Sequence, residues 1–339
     1  MGALTATHVT LLDWARRVDP DGKIASVIEV LNEYNEILDD ISFVEGNLPT
    51  GHKVTVRASL PTPTWRLLNQ GVVRTKSTSN QITETCGMME AYSEIDKDLA
   101  MLNGNTSQFR FTEDLAHIEA MNQAFAETLI YGDTSVDPEK FVGLAPRYYT
   151  VAGATTSGNL IDGGGVGTDN TSVWLVGWSP ATIMGIFPKG SKAGLQITDL
   201  GEQTVLDSSN NPFQAYRTHF QWKCGIAVKD WRYVVRIPNI DISTLETAGD
   251  AADTSANLLK MMSQAMDKLP PSGMVRPIFY CNNRVRAMIR VKFLNKSNTY
   301  ITLDELQSPV SGLKRPTLSF MGIPIRRIDQ LDVDEARIT

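Results

Sequence analysis

The sequence predicts an α+β chain of more than one domain, and three observations carry that prediction. A long, extended and polar stretch rich in Thr and Val occupies residues 42–95. One long amphipathic helix is expected over 112–131. A block of apolar and alternating strands fills 173–238, ahead of a mixed helix–strand C-terminal region. The length of 339 residues suffices for two or more domains with a sizeable core.

At the start of the chain a short helix is expected over 10–18. Thr10 is its cap, and Leu11, Trp14, Ala15 and Val18 share one side. The turn Asp19-Pro20-Asp21-Gly22 ends it. A second helix over 26–41 carries Val27, Leu31, Tyr34, Leu38 and Ile41 as one apolar stripe. Residues 1–41 therefore read as an N-terminal arm, since little near them completes a core.

In the stretch 42–95, Lys53 to Arg57 alternates as a first strand, and Pro61 and Pro63 break it. From Gly71 to Thr85 the Thr and Val content favours a second strand, yet neither face offers much apolar surface. A lone two-stranded ribbon is marginal in water. It needs a cover, and a neighbouring copy of the protein supplies one. The candidate contact residues are Trp65, Leu67 and Leu68, which a neighbour would bury, with Arg66, Arg74 and Lys76, which would meet its acidic groups. From Met88 a helix is expected on the spacing of Met88, Tyr92, Ile95 and Leu99.

For the long helix, Thr112 is the expected cap, with Glu113 and Asp114 at the positive end of the dipole. Leu115, Ile118, Met121, Phe125 and Leu129 form its buried stripe, and Gly132 stops it. Residues 153–172, rich in Gly, Thr and Asn, read as a surface loop. Val173 to Trp178 is apolar on both faces, hence a central strand. Tyr216, Thr218, Phe220 and Trp222 alternate with polar residues, as in a half-buried strand; Trp231, Tyr233, Val235 and Ile237 repeat that pattern until Pro238 closes it. A helix over 254–269, a strand over 275–280, a helix capped by Asn282 or Asn283, and a strand over 318–328 interrupted by Gly322 and Pro324 complete the chain.

Composition and motifs exclude several function classes. A net charge of −6, with no Lys/Arg run longer than two, argues against a dedicated DNA binder. Cys86, Cys224 and Cys281 lie far apart and form no CxxC pair, so no zinc site or disulfide framework is signalled and a reducing cytosol is the natural setting. No signal peptide and no run long enough for a membrane span are read. Gly163 to Thr168 lacks the Lys-Ser/Thr of a phosphate loop. His8, His52, His117 and His219 have no ligand partner at i+4. Asp329, Asp332, Asp334 and Glu335 lack the spacing of a calcium loop and read as a solvated tail. Trp174, Trp178, Trp222 and Trp231 read as core rather than as a sugar or base platform. No catalytic, cofactor-binding or metal-binding residue is assigned, and no cofactor is expected.

The order of elements, with Glu33–Asp40 and Gly46-Asn47, Thr64-Trp65-Arg66 to Gly71-Val72, Ile130 to Asp133, Phe141 to Leu144, Trp178-Ser179-Pro180, Lys229 to Arg232 and Met321 to Pro324, resembles the tailed-bacteriophage major capsid proteins of the Hong Kong 97-like capsid fold. The resemblance implies an N-arm at 1–41, an extended loop (E-loop) at 42–95, a peripheral domain at 96–240 with its spine helix at 112–131, and an axial domain at 241–339. The long strands at 173–238 precede the Gly-Ile-Pro strand, so a reordered connectivity is the alternative. It implies self-assembly into hexamers and pentamers of an icosahedral head shell around double-stranded DNA, met only by diffuse contact. It implies scaffolding, portal and cement proteins as partners, and a virion protein assembled in the bacterial host cytoplasm without membrane contact. The competing readings are a tail or scaffold-type structural oligomer, and a hydrolase with its site in the β block.

Overall fold

The computed structural model describes residues 35–102, 106–207, 209–247, 258–271, 273–294, 301–307 and 314–339. The helix expected over 10–18, and most of that over 26–41, lie outside the described residues. The chain divides into two compact units, one holding Met88–Phe125 and Gly194–Lys223, the other Tyr34–Gly87, Ala126–Ala193 and Cys224–Thr339.

The larger unit is built on a six-stranded sheet. Its strands, in chain order, are β5 (Asn170–Trp178), β9 (Val234–Asp241), β10 (Arg276–Cys281), β11 (Ile301–Gln307), β12 (Lys314–Phe320) and β13 (Ile323–Arg327), laid side by side as β11-β12-β13-β10-β5-β9. Every residue of β5 is buried, because β9 and β10 flank it and both faces are covered. On one face Val173, Leu175, Val235, Ile237, Phe279 and Ile325 pack with Leu258, Met262 and Ala265 of the helix Leu258–Lys268 and with Val285 and Ile289 of the helix Asn283–Leu294. On the other, Trp174 meets Tyr148 edge to face at 6.1 Å. The apolar run in the sequence is thus the signature of two covered faces.

Three expectations need correction in this unit. Trp231 to Tyr233 form a 3-10 turn, and the strand starting at Val234 is buried as far as Ile240 rather than alternating. It passes through Pro238 to Asp241, because β9 is the sheet edge, where a missing N–H breaks no ladder. Residues 318–328 form an antiparallel hairpin, with Ser319 opposite Pro324 and both Met321 (φ 49°) and Gly322 (φ 83°) left-handed at the turn. A smaller set in this unit joins β1 (Phe43–Glu45), parallel to β6 (Ile183–Phe187), with the end of β8 (Pro212–Val228) antiparallel beyond it.

The smaller unit holds β4 (Gly87–Asp96), β7 (Gln196–Leu206) and residues 212–223 of β8, which lies between them. Residues 88–96 are a strand, not the expected helix. Their exposure alternates, with Ser93 and Ile95 buried and Tyr92 outward against Arg217 and His219. The long helix runs Thr106–Tyr131, six residues earlier than expected. Thr112 does not cap it; its hydroxyl donates back to the Gln108 carbonyl within the helix. Phe109 is buried and Leu115 exposed, so the buried stripe is displaced from the expected one at its N-terminal end. Phe125 stacks on Trp222 at 4.5 Å. The helix stops where foreseen, and for a steric reason: a Cβ on Gly132 would fall 2.4 Å from the Phe141 carbonyl oxygen.

Candidate assembly interface

Within the stretch singled out in the sequence, residues 51–85 form a hairpin on the larger unit. Its strands are β2 (Gly51–Ser59) and β3 (Thr78–Thr85), antiparallel, with His52 opposite Glu84 and Arg57 opposite Ser79. The second strand starts at Thr78, seven residues later than expected from Gly71, so residues 60–77 form a long tip without strand pairing. Pro61 and Pro63 remove donors on one side, and Asn69 takes a left-handed φ of 67° at the turn. Among the described residues, the tip makes only a Thr75 hydroxyl bond to the Thr62 carbonyl and a Gln70 to Leu67 backbone bond, while the Ser59 and Thr78 hydroxyls meet at its neck.

The base is anchored as firmly as the tip is bare. Arg147 donates to both oxygens of Glu84 at 2.7 and 2.6 Å, and to the carbonyls of Gly143 and Val142. Glu84 is buried, so this fork-to-fork pair holds β3 to the body of the subunit. Asn47 adds a second clasp, bonding both the N–H and the carbonyl of Lys53. Burial and nearby Lys229 hold His52 below its ordinary range, against the pull of Glu84. An open cleft of about 700 Å³ lies between the β2 edge and Lys229–Arg232.

Trp65, Arg66, Leu67, Leu68, Arg74 and Lys76 all lie on the unpaired tip and all are exposed, Trp65 completely and Leu68 to 88%. Leu60, Val72 and Val73 are exposed beside them. These residues contribute nothing to the core of their own subunit. Sequence reasoning missed Glu84 and Arg147, which fix the base. They are 63 positions apart, and no local pattern links them.

The remaining sequence candidates are structural. Trp174, Trp178 and Trp222 are buried and Trp231 is half-buried. The surface-loop reading of 153–172 is corrected: Asn159, Leu160 and Asn170 to Ser172 are buried. Gly163 and Gly165 donate to the Pro238 and Asn239 carbonyls, so these glycine-loop amides already have partners. Burial pushes the Cys86 thiol up to about 11 and Cys281 to about 12, which disfavours the thiolate a nucleophile needs. The solvated-tail reading of 329–335 fails at Glu335. Its carboxylate is buried and accepts from Tyr131 at 2.6 Å, from Arg236 at 3.0 Å and from Ser172.

A sequence model described as major capsid protein GP7 matches residues 19–339. Among solved structures, the near-atomic structure of bacteriophage epsilon15 aligns at 32% identity and a TM-score of 0.77, covering 100% of this chain and 99% of that one. The holo-SrpI encapsulin complex of Synechococcus elongatus PCC 7942 aligns at 10% identity and TM-score 0.46, over 67% of this chain and 94% of its own. The bacteriophage JBD30 capsid aligns at 9% and 0.42, over 89% and 96%. These two are too distant to carry weight. No curated protein matches.

Proposed function

The chain belongs to the major capsid protein GP7 family, and from that premise we propose how its copies are joined into a shell. The function itself follows from family and fold: this is the major capsid protein of a tailed phage, Hong Kong 97-like in architecture, a structural protein of the virion and not an enzyme. That sets aside the hydrolase and tail-component readings.

The observation behind the proposed joint is the hairpin tip. Residues 60–77 expose Trp65, Leu67 and Leu68 with no core of their own, on a base pinned by Glu84 and Arg147. Such a ribbon laid over a neighbour buries its apolar residues and places Arg66, Arg74 and Lys76 at a polar rim. Repeated around hexamers and pentamers of a closed icosahedral shell, each weak overlap is reinforced by the others, and closure uses every interface. In this reading 1–41 is the N-arm, 42–95 the E-loop, 96–240 the peripheral domain and 241–339 the axial domain. Assembly takes place in the bacterial cytoplasm with scaffolding, portal and cement proteins, and packaged DNA is met only diffusely.

Deleting residues 60–80 tests the joint. The purified subunit should unfold at nearly the wild-type temperature, while electron microscopy of assembly reactions should find no stable shells. Normal shells from the deletion variant would end this reading.

A further inference from the structure

Charge is distributed one-sidedly along this chain. Between Glu45 and Glu84 there is no acidic residue, while Lys53, Arg57, Arg66, Arg74 and Lys76 all lie there. Residues 46–83 hold five of the 32 Lys and Arg residues and none of the 38 Asp and Glu, so against a total of −6 the rest of the chain carries −11. All five cations are exposed, and none has an ion-pair partner among the described residues.

A mainly acidic surface lies elsewhere on the same unit, with Lys140 close enough to Glu127 to feel its charge. Glu127, near the end of the long helix, and Asp332 and Asp334, in the C-terminal segment, are exposed. The Asp332 N–H donates at 3.0 Å to the Tyr131 hydroxyl, one helical turn from Glu127, and that hydroxyl donates to Glu335 at 2.6 Å. Partial shielding from water and the crowding of Glu335, Asp334 and Glu127 push the Asp332 carboxyl above its ordinary range. None of Glu127, Asp332 and Asp334 has a salt-bridge partner among the described residues. Glu335 differs, being neutralised by Arg236.

We propose that the basic hairpin of one copy recognises a second copy of this chain by charge, seating on the acidic surface formed by Glu127, Asp332 and Asp334. This rests on the hairpin being the subunit joint and names what it docks against. The apolar residues between the cations favour a protein surface over nucleic acid. A phosphate backbone would pair the charges but leave Trp65, Leu67, Leu68 and Val73 in water. Complementary one-signed surfaces steer encounter and reject wrong registers, since like charges brought together cost several kcal/mol.

A charge-swap cycle tests it in the full-length protein. R66E/R74E/K76E and E127K/D332K/D334K should each cut the yield of closed shells at least about tenfold. The six-fold combination, which restores complementarity between copies, should regain most of it. Raising salt from about 0.05 to 0.5 M should slow wild-type assembly. All six side chains are exposed, and unchanged thermal unfolding of each triple variant confirms that folding is intact. A combination no better than either triple overturns the proposal, as does a hairpin triple that assembles like wild type. So does a hairpin triple that forms normal shells but no longer retains a short DNA duplex, which assigns the charge to nucleic acid. The 60–80 deletion separates the two levels: if it blocks shells while the reversals do not, the joint stands and only the charge recognition falls.

Discussion

At the scale of single residues, the subunit relies on a few buried charges. Arg236 and Glu335 are only 5% and 6% exposed at their side chains. Arg236 also donates to the Tyr148 carbonyl and to Ser172, and lies over the Trp174 ring. Arg236→Ala leaves Glu335 buried without its cation, so denaturant unfolding of the subunit should show a loss of about 3–5 kcal/mol. Asp40 gives a pH signature. Burial raises its carboxyl above 3.8, against Arg326, the Tyr280 hydroxyl and Arg276. A carboxyl with a higher value in the fold binds its proton more tightly there. Its contribution is fully present below the unfolded value and is lost as pH rises through the folded one. Asp40→Asn removes that slope. Unfolding free energies measured upward from about pH 4 should therefore shift progressively in favour of the variant relative to wild type. The sequence made Trp174, Trp178 and Trp222 legible as core, from the doubly apolar run and the alternating strand that hold them, whereas Trp231 sits half-buried in a 3-10 turn. It hid Glu335, because an acidic residue among acidic residues looks solvated until an Arg 99 positions away is seen to face it.

At the scale of elements, legibility followed how far a pattern discriminates. Val173 to Trp178 admitted one reading, since an apolar run of strand length bounded by turns belongs in a covered sheet. Residues 88–96 misled because positions four apart, such as Met88 and Tyr92, share a face in a helix and in a strand alike. Burial of Ile95 with Tyr92 outward decides for the strand. The hairpin was legible as a coreless ribbon but its anchor was not, since a long-range ion pair leaves no local trace. Glu84→Gln weakens that anchor and leaves Arg147 half-satisfied. Amide exchange across 51–59 and 78–85 should accelerate, with subunit stability down by about 1–3 kcal/mol. Trp65→Ala should do the opposite, leaving subunit unfolding within about 0.5 kcal/mol of wild type while lowering shell yield.

At the scale of the whole molecule, net charge sets a limit on DNA contact. At −6, with five of its 32 basic residues on the hairpin and no Lys/Arg run longer than two, the sequence offers no concentrated cationic run. Short duplexes at physiological salt should bind purified subunits more weakly than about 1 µM by fluorescence anisotropy, and tighter binding would contradict that limit. The family and its fold class were readable from the order of elements along nearly the whole chain. The grouping of residues into two contact units was not, because each unit is assembled from segments far apart in sequence.

That interleaving sets a clock on synthesis. Asn35 pairs with Ile328, the Glu36 N–H bonds the Arg327 carbonyl, and Asn170 waits for Glu335. The central strand β5 cannot be flanked on both sides until β10 has left the ribosome. Contacts of such long sequence separation form late and slowly. The hairpin, by contrast, pairs locally and can form soon after it emerges. A nascent subunit therefore displays its adhesive strip well before it owns a finished body. Productive growth of the shell must then be governed by when neighbours finish folding, rather than by when their joints appear.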